Sequence, residues 1–306
     1  MTDSYQQESI NLAGVVLGGG ERNIGFVNLN NGDDETGEIG TLKPFRTIQA
    51  FLDAVPDGAT DESARNEYVA FIAPGDYDED LAVDLTNRRI ILSSLGVWGL
   101  GTFDGPDWGP SGTRRNITVT ATGGPVDGIR PGLVITSLVS IGEGMTTHEA
   151  YLTKIRISGK IDLTGASGVG SVELTLECEV FGDAGVAIDA GATIIQSYIY
   201  RSRMRGTITG ANWNLQVSER TRFDGLITIS GFSLMLSCRI NAGLTTGSVT
   251  PVGLIPGGMI GCWFAGTFTG PALSALMDGN TNYWFKTNGA ALAGGATKVI
   301  ADDLVP

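Results

Sequence analysis

Residues 172–180 read VELTLECEV. Val172, Leu174, Leu176, Cys178 and Val180 alternate with Glu173, Thr175, Glu177 and Glu179. A period of two belongs to an extended strand, with one side-chain set facing a core and the other facing solvent or a partner. The alternation places Cys178 inside. Similar short strands recur after a glycine: Gly159, Gly185, Gly206, Gly225, Gly243, Gly266 and Gly289. The text at these anchors reads GKIDL, GVAI, GTIT, GLITI, GLTT, GTFT and GAAL. The steps between them give a loose period of about 22 residues, within the range of solenoid repeats. One such coil cannot bury its own apolar face, so neighbours must stack at about 4.8 Å. A leucine-rich repeat would show a regular Leu/Asn pattern, and a hairpin protein would show frequent NG or DG turns between long strands. Neither pattern is present. The expected fold is all-β: a right-handed parallel β-helix.

Composition agrees. Glycine makes up 45 of 306 residues, about twice its usual share, as many short strands and turns require. The chain carries a net charge of −13, which argues against a broad basic surface for nucleic acid. Charge is unevenly spread: residues 31–90 hold 14 acidic and 5 basic side chains, whereas residues 226–301 hold only Arg239, Asp278, Lys286 and Lys298. Glycine and hydroxyl residues interrupt that stretch before it reaches the roughly 18 apolar residues of a membrane span. A surface so poor in charge is expected to be covered by other subunits. Met1–Ile10 lacks the basic and apolar regions of a secretory signal. Cys178, Cys238 and Cys262 are odd in number and form no CxxC pair, so free buried thiols are expected.

Residues 1–40 read as a lead-in or attachment segment and residues 41–306 as the solenoid. Within the polar stretch that follows residue 30, apolar residues fall at Phe45, Ile48, Phe51, Leu52 and Val55, between Pro44 and Pro56. This spacing predicts an amphipathic helix of about ten residues, placed as a plug on an open sheet end. Strands follow at Tyr68–Ala73, Leu81–Leu85 and Arg89–Leu92, and a Gly- and Pro-rich insertion occupies about 93–131. Asn31–Asp34, Pro44–Gln49 and Ala73–Tyr77 together resemble the N-terminal opening of the pectate-lyase-like β-helix superfamily, in the form found in bacteriophage tail and spike proteins. The resemblance spans about 50 residues. It implies a fold rather than one activity, because that superfamily includes lyases, hydrolases, adhesins and structural parts.

Three constellations are candidates for function. Arg201, Arg220 and Arg239 are spaced 19 and 19, and Arg203 and Arg222 also 19 apart. Coils of that length would stack each set on one face, near the outward Glu177 and Glu179. The plain reading is cross-coil ion pairing; the functional one is an arginine strip for an acidic glycan or a partner's carboxylates. Asp76, Asp78, Glu79, Asp80 and Asp84 crowd one turn and strand, but their spacing fits no defined Ca²⁺ loop, so no cofactor is expected. Trp98, Phe103 and Trp108 form either a packed flap or a stacking platform for sugar. The single histidine, His148, sits in a polar stretch, and neither a P-loop nor a GxSxG motif occurs.

The sequence thus predicts a non-catalytic structural or receptor-contacting part of a virus particle: a tail spike, tail fibre or capsid decoration. It is expected as a homotrimer contacting other virion proteins and a cell-surface glycan, with neither nucleic acid nor membrane insertion, made in the host cytoplasm. A polysaccharide lyase or hydrolase is the alternative, and a bacterial surface adhesin a third.

Overall fold

A computed structural model describes residues 23–56, 67–73, 75, 77–94, 117–124, 132–137, 155–166, 170–249, 258–260, 262–264, 267–269 and 285–287. Trp98, Phe103, Trp108, Asp76, His148, Gly266 and Gly289 lie outside the described residues. The chain is a curled, mostly parallel β structure, consistent with an all-β solenoid.

The strands form three ranks. The first holds Asn23–Val27, Glu67–Ile72, Arg89–Ser94, Gly132–Ser137, Val172–Leu176, Ile195–Tyr200 and Gly258–Ile260. The second holds Asp80–Asp84, Thr118–Thr122, Ile161–Gly165, Val186–Asp189, Gly243–Val249 and Thr267–Thr269. Two long strands, Thr207–Glu219 and Leu226–Leu236, run from the second rank into the first and join them as one 15-stranded sheet. Their mutual register breaks between Gly210 and Asn214, where the chain bends. The third rank is a separate sheet of seven strands: Ile155–Ile157, Cys178–Val180, Arg203–Met204, Arg222–Phe223, Arg239–Ile240, Cys262–Phe264 and Phe285–Thr287. From residue 172 the chain visits first, third and second rank in turn, and strand pairing within each rank is parallel.

Inward residues stack on their counterparts one coil away. Leu81, Val119, Ile161, Ile188, Ile208, Ile227 and Leu244 form one such column. Each is at most 2% exposed. Burial of side chains of this kind stabilises by about 1.5–3 kcal/mol apiece. Two of the repeat glycines, Gly206 and Gly225, have a steric cause. A Cβ on Gly225 would lie 2.3 Å from the carbonyl carbon and oxygen of Gly206, and one on Gly206 would lie 2.6 Å from Ala187 N. Successive coils touch main chain to main chain here, and only glycine fits. The three cysteines are free and buried.

The N-terminal end is closed by the residues that carried the resemblance. The helix, α1, spans Ile48–Ala54 and buries Ile48, Phe51 and Leu52. It is shorter than the proline spacing implied, because Thr47 rather than Pro44 is its N-cap. Asp34 Oδ1 accepts from Arg46 N and Thr47 N, and Glu79 accepts from Ile48 N (3.0 Å) and Gln49 N (2.8 Å). Gln49 Oε1 accepts from Ala82 N and its Nε2 donates to Ala82 O, so one side-chain amide covers the free edge of Asp80–Asp84 as a neighbouring strand would. At the other free edge, Phe45 N donates to Phe26 O and Asn28 N to Phe45 O. Asn23–Val27, inside the segment read as a lead-in, pairs with Glu67–Ile72 as the first strand. Tyr77 Oη donates to Ala73 O at 2.9 Å and accepts from Leu29 N at 3.3 Å. Burial, opposed by the Leu29 hydrogen bond and reinforced by the charge of Glu79, pushes its pKa up to about 12. Asp84 is engaged by Thr86 N and Oγ1 and by Arg88, whose Nη1 donates to Val55 O (3.2 Å) and Pro56 O (2.7 Å) at the end of the helix, so Glu79 and Asp84 serve the cap.

Replacing Glu79 with Ala strips the acceptor from two helix N–H groups. The expected loss is about 1–3 kcal/mol of unfolding free energy, read by urea denaturation at neutral pH; an unchanged midpoint and slope would contradict the cap.

Candidate functional site

The arginine strip lies on the third rank and the corner leading into it. At that corner Arg201, Arg220 and Ser237 have φ of 44°, 50° and 50°, a region non-glycine residues seldom enter. The following residue is always small and polar. Ser202 Oγ donates to Tyr200 O (2.7 Å), Thr221 Oγ1 to Glu219 O (3.1 Å) and Cys238 Sγ to Leu236 O (3.4 Å). Each side chain satisfies the carbonyl two residues back and fixes the turn. Cys178, Ser202, Thr221, Cys238 and Cys262 thereby form one buried internal column. The spacing of the cysteines follows coil length, not metal or disulfide geometry.

The corner sets the register of the arginines. Glu179, Arg203, Arg222, Arg239 and Trp263 stand on one another in successive coils. Arg239 therefore does not share a column with Arg201 and Arg220, as equal spacing had suggested. Ser237 takes that place, because the step from Glu219 to its partner Leu236 is two residues shorter than the step from Tyr200 to Glu219. A parallel column two residues further on holds Phe181, Arg205, Asp224 and Asn241, bonded through Arg205 N to Val180 O, Asp224 N to Met204 O and Asn241 N to Phe223 O.

Ion pairs cross the coils. Arg201 Nε lies 2.9 Å from Glu177 Oε1, and Arg205 Nη2 lies 2.7 Å from Glu179 Oε1, with Arg203 Nη1 at 3.9 Å from the same oxygen. Glu177 and Glu179 face outward, as their alternation requires, yet are 3% and 7% exposed. Asp224 is the hub. It accepts from Arg203 Nε (2.9 Å), Arg222 Nε (2.7 Å) and Asn241 Nδ2. Burial alone would raise the Asp224 carboxyl, but the hydrogen bonds of Arg222, Arg203 and Asn241 and the charge of Arg203 outweigh it and hold its pKa below the usual carboxylate range.

The strip is cationic at one end. Arg220 pairs with Glu219 at 3.4 Å, with the Arg220 side chain 56% exposed. Arg222 leaves its terminal nitrogens outside the Asp224 bond and is 42% exposed. Arg239 bonds Asn241 through Nε and stacks its guanidinium 4.3 Å from the centre of the Trp263 ring. These groups suit the binding of an anion or carboxylate. Arg205, Asp224, Asn241 and Trp263 escaped the sequence reading. The available signal was the i,i+2 pairing of Arg203 with Arg205 and of Arg222 with Asp224, which puts each pair on one side of the chain.

The second rank carries a different outward column: Thr120, Asp162, Asp189, Thr209, Thr228, Thr245 and Thr269. Lys160 Nζ lies 2.8 Å from Asp162 Oδ2, and Asp189 Oδ1 accepts from Gly191 N and Thr209 Oγ1. No protein-family model, curated protein or solved structure matches the chain.

Asp224→Asn is expected to cost about 1–2 kcal/mol at pH 7. Because the folded pKa is depressed, this contribution is present above the ordinary carboxylate range near 3.9 and fades as pH falls through the lower folded value. Urea unfolding of both proteins at pH 7 and near pH 3 checks this: the gap should shrink in acid, and a gap that widens would contradict it.

Proposed function

We propose that the chain is a right-handed parallel β-helix serving as a structural or receptor-contacting part of a bacteriophage particle, a tail spike, tail fibre or capsid decoration, assembled as a homotrimer. The observation that carries this reading is the pairing of a closed N-terminal end with an outward charge strip that is largely self-neutralised. Such a chain is built to be a stiff element bearing contact surfaces. The motif residues Asp34, Thr47, Gln49 and Tyr77 support it, since all of them work in the cap. In this reading Arg220, Arg222 and Arg239, with Trp263, contact an acidic cell-surface glycan or the carboxylates of another virion protein.

One observation favours a second reading, a glycoside hydrolase. Asp162 and Asp189 are in-register neighbours on adjacent coils, so both carboxylates stand on one outward column, and retaining enzymes use a pair of carboxyl groups about 5–5.5 Å apart.

Two assays test these readings. Fluorescently labelled protein should be retained by host cells or acidic capsular polysaccharide, with retention falling at least tenfold in the Arg220→Ala, Arg222→Ala double variant; equal retention would refute the contact. Incubation with the polysaccharide should leave reducing ends and ultraviolet absorbance unchanged. A rise abolished by Asp189→Asn would replace the structural reading with the hydrolase.

A further inference from the structure

The internal column at the corner ends in two thiols. Cys178, Ser202, Thr221, Cys238 and Cys262 fill it in successive coils, each at most 4% exposed. Coil length alone sets this spacing, and in two successive coils it seats cysteine in the same inward slot. Leu236 pairs with Ile260 before the corner and Arg239 with Trp263 after it, by the same offset, so Cys238 and Cys262 are held in register from both sides. Trp263 N donates to Cys238 O at 2.8 Å. Register neighbours in a sheet stand about 4.8 Å apart, inside the range of about 4.4–6.8 Å between the Cα atoms of a disulfide. The two thiols touch, and Cys262 hydrogen-bonds Cys238. Cys178 lies three coils from Cys238, about 14 Å along the stack, with Ser202 and Thr221 between them. The corner itself does not call for sulfur. Ser202 and Thr221 reach the carbonyl two residues back at 2.7 and 3.1 Å, where Cys238 stands at 3.4 Å. A thiol is the weaker donor, so serine would serve the turn at least as well. What cysteine adds at both positions is the capacity to join.

We propose that Cys238 and Cys262 are a modification site at which hydrogen peroxide forms a disulfide that staples two neighbouring coils. Such a bond does not persist in a reducing cytoplasm and forms outside it. Peroxide is small and uncharged, as a pair only 1% and 2% exposed requires. In the first step the Cys238 thiolate attacks one peroxide oxygen. The S–O bond forms, the O–O bond breaks, and the departing hydroxide takes up the proton that Cys238 gave away, leaving as water. In the second step the Cys262 sulfur displaces that oxygen from Cys238. The S–S bond forms, the S–O bond breaks, and the departing hydroxide takes the Cys262 proton as a second water. The two sulfurs lose two electrons and the peroxide gains them. The contact favours the first step. Hydrogen bonds from Cys262 and Ser218 outweigh the raising effect of burial and hold the Cys238 thiol below its ordinary pKa, the condition for a nucleophilic cysteine. The staple also acts on the strip outside. Arg239 and Trp263 directly follow the two cysteines, so the bond ties together the coils whose guanidinium and indole stack at the cationic end.

The test exposes the reduced full chain to hydrogen peroxide, blocks remaining thiols with N-ethylmaleimide in urea, and reads intact mass and proteolytic peptides. The wild type should lose two hydrogens, carry one maleimide, on Cys178, and yield a linked peptide pair holding Cys238 and Cys262. Its urea midpoint should rise on oxidation and return with dithiothreitol. Cys238→Ser places in the column a residue it already accepts at Ser202. This variant should carry two maleimides, and peroxide should leave its urea midpoint where it was. Three maleimides on the treated wild type, a sulfinic acid at Cys238, or a bond that includes Cys178 overturns the proposal. A bond that forms without raising the midpoint overturns the staple. If Cys238→Ser misfolds, Cys178→Ser decides: it should form the same bond and take up no maleimide, and two maleimides on it overturn the assignment.

Discussion

The structure depends on residues of like kind standing over one another in successive coils. No coil encloses a core by itself; each contributes one slice to columns such as Leu81–Val119–Ile161–Ile188–Ile208–Ile227–Leu244. Stability then comes from nearest-neighbour contacts, as in other repeat architectures. Coil length can vary freely as long as the inward positions return to register. It does vary: the step from Ile90 to Leu133 is far longer than the step from Ile208 to Ile227, yet both pairs stack.

Stacking also creates two problems, which the sequence answers locally. Exposed edges would recruit further strands. At the N-terminal end Phe45 covers one edge and the Gln49 amide the other. Corners must turn sharply without leaving carbonyls unbonded. Ser202, Thr221 and Cys238 answer this by bonding two residues back from inside the core. The same corner that buries these small groups projects Arg201 and Arg220 outward and brings Arg203, Arg222 and Arg239 into line. The charge strip is therefore a consequence of the corner geometry, and Asp224 keeps its crowded guanidinium groups compatible.

The period of two in VELTLECEV is visible in the sequence because alternation is a purely local demand, and Gly206 and Gly225 because the close main-chain approach of neighbouring coils excludes a side chain. The inward placement of Cys178 and the pairing of Glu177 and Glu179 with the next coil's arginines follow from the same alternation. Register is not local. Counting 19 residues aligned Arg239 with Arg220, while the shortened coil moves it over Arg222. Asp224 and Trp263 were hidden for the same reason: their neighbours are one coil away, and a coil's length is not written in any single segment. The acidic residues near position 79 are a different case. Their spacing fits no Ca²⁺ loop, but the sequence does not show what they do instead: Glu79 and Asp84 are spent on helix N–H groups, Thr86 and Arg88.

The register itself is the most direct point of attack. In-register outward neighbours fall within the Cα separation that a disulfide needs. Cysteines introduced together at Arg222 and Arg239 should therefore form an intrachain disulfide under mild oxidation, detected by mass spectrometry of the proteolysed monomer, while cysteines at Arg220 and Arg239 should remain reduced. Efficient closure of the 220/239 pair with failure of the 222/239 pair would contradict the stacked coils described for this chain.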